Sequence, residues 1–148
     1  MDLRKAFDTV NHGCLVQKLK CYGINGKELN WLTDYLFNRK QCVVYDGFIS
    51  DPNQVTHGVP QGSILGPLLF IILVNDMSSV SRKCQILMHA DDTVLLYADK
   101  ESRIIQDVLN NEAGLVEKWI KDNNLRSNLK KGICNVRIPS KIIKTTQM

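Results

Sequence analysis

Ile64 to Val74 runs without one polar side chain, and a segment that apolar must leave water somewhere. A bilayer span takes ~20 residues, so this one is too short to cross a membrane and belongs in a folded core. A buried helix is its economical form, with Ser63 as cap and Pro67 in or near the first turn. The chain is large enough to enclose it. Its 148 residues, 44% hydrophobic and 23% charged, make one domain with a real core. That balance excludes disordered, collagenous and coiled-coil classes.

The rest of the chain alternates helical and strand patterns. Val10 to Tyr22 and Glu28 to Asn38 carry apolar residues at helical spacing, the first stopped by Gly23 and the second built on Leu29, Leu32 and Leu36. Gln41 to Tyr45 is rich in strand formers and ends in Asp46-Gly47, a strong hairpin signal. Gln85 to Met88 and Thr93 to Ala98 are short strand-type runs on either side of His89-Ala90-Asp91-Asp92. Glu101 to Asn123 reads as a long amphipathic helix with Ile104, Val108, Leu115, Val116, Trp119 and Ile120 on its core face. A weak strand is expected over Ile133 to Ile138. Helices mixed with antiparallel hairpins point to an α+β fold, one sheet with helices on one face.

Compartment and charge narrow the function classes. Five cysteines without a C-x-x-C spacing argue against a disulfide framework or a zinc site and suit a reducing compartment. Met1-Asp2-Leu3-Arg4-Lys5 has no apolar stretch behind its charges, so it does not read as a signal peptide. An intracellular chain is expected, nucleus and cytoplasm both open. Up to Glu117 there are 11 basic and 14 acidic residues, whereas from Lys118 onward 8 basic residues face Asp122 alone. Such a basic end can follow phosphates, and it can equally be a solvated surface.

Three segments carry candidate chemistry. The first is Asp91-Asp92, two carboxylates that repel each other unless something neutralises them. A hard divalent cation does so, because Mg²⁺ takes carboxylate oxygens and keeps positions free for phosphate. In isolation Ala-Asp-Asp reads as a surface turn. The flanking Leu87, Val94, Leu95 and Leu96 instead make the hairpin a buried one. The second is Asp2-Leu3-Arg4-Lys5-Ala6-Phe7-Asp8, where a carboxylate at a strand end can complete a metal site and Asp8 is equally suited to cap a helix. The third is Gly58-Val59-Pro60-Gln61-Gly62-Ser63. Its glycines let backbone approach a ligand, Pro60 stiffens the turn, and Gln61 offers both a donor and an acceptor.

Taken together in order and spacing, these segments resemble the reverse transcriptases of non-LTR (LINE-type, jockey-like) retrotransposons over roughly residues 2 to 131. The matching blocks are Asp2 to His12, Tyr35 to Gln41, Gly58 to Phe70, Asn75-Asp76 and Ala90-Asp91-Asp92, of which the glycine-proline-glutamine block is the most specific. The resemblance implies the palm of a right-handed polymerase and RNA-directed DNA polymerisation, a nucleotidyl transfer from dNTPs. Two Mg²⁺ ions, with Mn²⁺ as a substitute, would activate the primer hydroxyl and stabilise the leaving pyrophosphate. It implies Asp2, Asp91 and Asp92 as metal ligands and Lys131, in Asn128-Leu129-Lys130-Lys131, as a proton donor near the triphosphate. Phe7 becomes the gate under the sugar, and Pro60, Gln61 and Gly62 the contact with nucleotide and template. RNA template, DNA primer and dNTPs are the implied partners, with no membrane.

The sequence also departs from that pattern. His89 stands where an aromatic residue usually precedes Ala-Asp-Asp, and Gly132 replaces a threonine. Asp2 directly follows Met1, so the expectation is that the strand presenting it, the fingers, the thumb and any endonuclease are lacking. The expectation is a partial palm over 1–131 with a basic remnant over 132–148, inactive by itself, because active-site groups must be held within ~0.5 Å by a packed second layer. The alternative is a non-catalytic nucleic-acid-binding remnant that uses the basic end, with Trp119 as a stacking residue. An unstable translated remnant without function is the third.

Overall fold

Helices and short antiparallel strand pairs alternate along residues 3–128, the part of the chain that the computed structural model describes. Helix α1 (His12–Cys21) begins where the Asn11 side chain accepts the Cys14 N–H at 3.0 Å, and it ends before Gly23, whose φ of +86° suits glycine. Asn11 therefore caps this helix, and Asp8 does not. Helix α2 (Gly26–Leu36) buries Leu29 and Leu36 and leaves Trp31 outside, stacked on Tyr35 with ring centroids 6.2 Å apart. Both helices lie where the spacing of their apolar residues predicts.

Next comes a ribbon of four short strands, β1 (Lys40–Gln41), β2 (Val44–Tyr45), β3 (Phe48–Ile49) and β4 (Asn53–Gln54). Strand β2 turns into β3 through Asp46 (φ +48°) and Gly47 (φ +80°), both left-handed, as a tight hairpin twist requires. Strand β1 pairs with β4 as Lys40↔Gln54, whereas the inner pair runs Val44↔Ile49, so one extra residue sits on the return arm. Pro52 lies in that arm and has no N–H to donate to a regular ladder.

Helix α3 (Leu65–Val74) is the apolar run, and Pro67 falls in its first turn. The Ser63 hydroxyl accepts the Gly66 N–H at 3.0 Å and donates to the Pro60 carbonyl at 2.7 Å, which is the expected cap. The helix is not buried all round. Leu69, Phe70, Leu73 and Val74 enter the core, while Ile64 just ahead of it is 96% exposed and Leu68 and Ile71 face outward. Among the described residues, nothing packs on that outer side.

A 3₁₀ turn (Asn75–Val80) leads into the hairpin of β5 (Gln85–His89) and β6 (Asp92–Leu96). Because side chains alternate across a strand, Ile86, Met88 and Leu95 pack on the core while Leu87, Val94 and Leu96 lie on the open face. The expectation of a hairpin buried by all its leucines and valines is corrected accordingly. The strand pairs also stay separate among the described residues, with isolated bridges at Leu3–Ser127 and Asn11–His57, instead of merging into one sheet.

Helix α4 (Ser102–Asp122) has the predicted limits but a rotated face. Ile105, Val108, Glu112, Val116, Trp119 and Ile120 are buried; Ile104 and Leu115 are not. Glu112 holds its place in that apolar face by accepting the Arg82 backbone N–H at 3.2 Å. Burial, followed by the Glu112 carboxylate, raises the pKa of the nearby Cys84 thiol, against a smaller lowering by the Ser81 hydroxyl.

The core joins α1, α3 and α4 through Leu15, Leu19, Leu69, Phe70, Val116 and Ile120. Lys18 crosses the same junction. Its ammonium donates to the Leu73 carbonyl at 2.6 Å and to Asp76 at 2.5 Å, and it lies 4.5 Å from the Trp119 ring centre. Trp119 is thus a core residue under a lysine and is not available as a stacking platform. Among the described residues no helix is long and apolar enough to cross a membrane. Asp2, Lys131, Cys134, the strand expected over Ile133–Ile138 and the basic segment 132–148 lie outside the described residues.

Candidate functional site

One short segment, Leu3 to Val10, collects the motifs that are far apart in the sequence. At its start the Leu3 N–H donates to the Asp91 carbonyl at 3.4 Å, and the Arg4 N–H donates to the Arg126 carbonyl at 2.8 Å. At its end the Gly58 N–H donates to the Val10 carbonyl at 2.8 Å and the Val59 N–H to the Phe7 carbonyl at 2.9 Å. The acidic hairpin and the glycine-proline-glutamine loop are therefore strung along the same stretch of backbone.

Gly58 is required at this junction. Its φ is +85°, and a Cβ there would lie 2.9 Å from the Asp8 carbonyl oxygen and 3.0 Å from that of Phe7. The Gly58 carbonyl accepts twice, from His12 Nε2 at 2.8 Å and from Arg39 Nη2 at 2.9 Å. Helix α1 and the start of the ribbon are thus both tied to the loop. Burial lowers the His12 pKa, a hydrogen bond to Gly58 opposes this, and the nearby Arg39 and His57 add to the lowering.

Beyond Gly58 the loop is stiff. Pro60 fixes one dihedral, its carbonyl takes the Ser63 hydroxyl, and a Cβ on Gly66 would approach that carbonyl to 2.7 Å. Gln61 projects from this turn, and its Nε2 donates to Asp8 Oδ1 at 2.6 Å. Phe7, on the other side of the same segment, packs its ring on Phe70 of α3 with centroids 4.7 Å apart. Gly62 follows with φ +76° and open space around it. An open groove of about 660 Å³ runs alongside, lined by Asp8, Arg39, Lys40, His57, Pro60 and Gln61 among others.

The paired carboxylates do not line that groove. Ala90 and Asp91 form the turn of the hairpin, and Asp92 opens β6 opposite His89. Ala90 has φ +52°, a left-handed conformation that costs an alanine about 1–2 kcal/mol. His89 is exposed on the open face. Two carboxylates supply hard oxygen donors, which fit Mg²⁺ or Mn²⁺ better than softer metals. Among the described residues no three His, Cys, Asp or Glu side chains gather as a metal cage. The third expected carboxylate, Asp2, adjoins Leu3 in sequence but lies outside the described residues, as does Lys131.

This arrangement can be set against known proteins. The family model described as reverse transcriptase (RNA-dependent DNA polymerase) matches residues 1–137. The chain belongs to the reverse transcriptase family. It is similar to a probable RNA-directed DNA polymerase from transposon BS of Drosophila melanogaster, with 32% identity over 81% of this chain and 14% of that protein. The X-element polymerase of the same fly is 32% identical over 88% of this chain and 15% of its own length. The polymerase from mobile element jockey is 30% identical over 88% of this chain and 15% of its own. This reverse transcriptase chain thus spans about 15% of the length of the curated relatives it matches.

His12 and Arg39 carried no expected role in this site, and Asp8 was expected only as a candidate helix cap. Asp8, His12 and Arg39 all fell inside the blocks that carry the family resemblance, yet their work is long-range: each reaches the Gly58–Gln61 loop from a distant segment. No local spacing announces that.

Proposed function

We propose that this chain carries the nucleotide-handling and metal-carrying parts of an RNA-directed DNA polymerase palm. The observation that supports this best is the convergence on Leu3–Val10, which touches the Asp91 turn at one end and the Gly58–Gln61 loop at the other. Asp91 and Asp92, with Asp2, would hold divalent cations. A pair of such ions supplies Lewis-acid activation of a primer hydroxyl and charge neutralisation at a leaving pyrophosphate. Gln61, Pro60 and Gly62 would meet the incoming dNTP and the template, Phe7 would sit beneath the sugar, and Lys131 would serve as proton donor. RNA template, DNA primer and dNTPs are the proposed partners.

The chain alone is proposed not to sustain synthesis. Its groove lies open, so a substrate bound there would not be held rigidly. The test uses the full chain. Mn²⁺ should broaden the amide signals of Ala90 to Thr93 by paramagnetic relaxation, and an Asp91→Ala, Asp92→Ala double variant should lose that response. Primer extension on an RNA template with Mg²⁺ should be absent or marginal. Robust extension that disappears in the double variant would overturn the inactivity. Absence of metal binding at the hairpin would remove the polymerase reading itself. Oligonucleotide binding that is salt-dependent but indifferent to Asp91→Asn and Asp92→Asn would leave a non-catalytic binder.

A further inference from the structure

We propose that Asp8 is a positioning residue that holds the Gln61 amide in one orientation for a bound nucleotide; this deepens the function proposed above and rests on Gln61 meeting a nucleotide. The bond joins two segments far apart in sequence, Gln61 Nε2 to Asp8 Oδ1 at 2.6 Å, and both side chains line the open groove. Each end is anchored by backbone. The Asp8 N–H is bonded to the Lys5 carbonyl at 2.9 Å, and the Asp8 main chain lies against Gly58 so closely that no Cβ fits between them. Gln61 stands on a turn held by Pro60, by the Ser63 hydroxyl and by the close approach of Gly66. Two fixed supports joined by one bond leave the amide little freedom.

The chemistry of the partner chooses the orientation. A glutamine amide can flip and exchange its donor and acceptor ends, but an ionised carboxylate only accepts. Nε2 must therefore face Asp8, and Oε1 together with the second N–H is left for a ligand in the groove. Without Asp8 the amide samples both orientations, and a ligand group matched to one of them finds it only part of the time. Asp8 touches no reacting atom in this scheme. It acts through Gln61, and that makes its effect separable from a merely structural one.

The experiment is a double-mutant cycle on the full chain, read as Mg²⁺-dNTP affinity in the presence of primer–template, with a spectroscopic check. Gln61→Ala and Asp8→Ala should each weaken dNTP binding by about 5- to 10-fold, and the double variant should be no weaker than either alone. Asp8→Asn, which keeps an acceptor oxygen, should recover most of the loss. In ¹H–¹⁵N spectra the Gln61 side-chain signals, identified by their loss in Gln61→Ala, should shift in Asp8→Ala and return toward their original positions in Asp8→Asn. Additive losses, an unchanged affinity in Asp8→Ala, Gln61 signals unmoved by Asp8→Ala, or no measurable dNTP binding by the unaltered chain would each overturn the inference. Failure of the polymerase reading looks different, because it shows at the hairpin. A coupled cycle without metal binding at Asp91 and Asp92 would keep the Asp8 device and discard the polymerase, and metal binding with an additive cycle would do the reverse.

Discussion

His12 is 2% exposed, and its two ring nitrogens have unequal company. Nε2 faces the Gly58 carbonyl, an acceptor, so it carries the proton of the neutral ring; Nδ1 is buried without a hydrogen-bond partner among the described residues. Protonation would place an N–H⁺ at Nδ1 with nothing to receive it, next to Arg39 and His57. Burial above all, with Arg39 and His57 adding to it, therefore lowers the pKa from its ordinary 6.5. The sign follows from proton counting: below 6.5 the unfolded chain takes up a proton that the folded histidine refuses. Stability is therefore intact above 6.5 and is lost as pH falls from there through the folded pKa. Melting temperatures should drop between pH 7.5 and pH 5.5. His12→Gln, which keeps a donor for Gly58, should flatten the slope, and a rise on acidification in the unaltered chain would contradict the account. The two loop glycines give a second contrast at this scale. Gly58→Ala meets backbone atoms at 2.9–3.0 Å with φ +85°, and should cost about 2–4 kcal/mol in denaturant titrations. Gly62→Ala has φ +76° but open space, so only the left-handed strain remains, about 1 kcal/mol.

Helix α4 shows how an element can be right in length and wrong in aspect. Its apolar residues allow two overlapping stripes, one through Ile104 and Leu115 and one through Ile105, Val108 and Val116. The second is the one buried, together with Trp119 and Ile120, and Glu112 on the same face accepts the Arg82 N–H. Val116 is then fully enclosed, and Val116→Ala should cost about 2 kcal/mol. Leu115 is 43% exposed, and Leu115→Ala should cost under about 1 kcal/mol. Equal losses in urea unfolding would mean that the helix sits on the other stripe. Helix α3 makes the same point with its whole outer side. Composition says that such a segment shuns water, but one helix face is all that the described core covers.

At the scale of the molecule, the apolar surface left uncovered is large. Tyr45 and Phe48, paired across the β2–β3 turn, are 80% and 78% exposed, and Val44 and Ile49 beside them are also open. A two-stranded ribbon with that surface is marginal in water and prone to associate. The apparent mass of the chain in light scattering should therefore rise with concentration. A Tyr45→Lys, Phe48→Lys double variant should reduce the scattering while leaving the melting temperature within about 2 °C, since neither ring packs on the core. A large fall in melting temperature would show that the ribbon's rings carry stability, against their exposure.

Local sequence pattern carries most of the helices, one hairpin turn and the family. Helical spacing placed α1, α2 and α4, Asp46-Gly47 placed a hairpin turn, Ser63 with Pro67 placed the start of α3, and the ordered blocks from Asp2 to Asp92 placed the chain among reverse transcriptases. These are local properties, written in propensity, turn chemistry and periodicity. Long-range packing sets which stripe of α4 faces inward, that α3 keeps one side in water, that Trp119 lies under Lys18, and that Asn11 is the cap while Asp8 reaches across to Gln61. Each of those depends on where a second, distant segment puts a donor, an acceptor or a wall, and no local pattern contains that position.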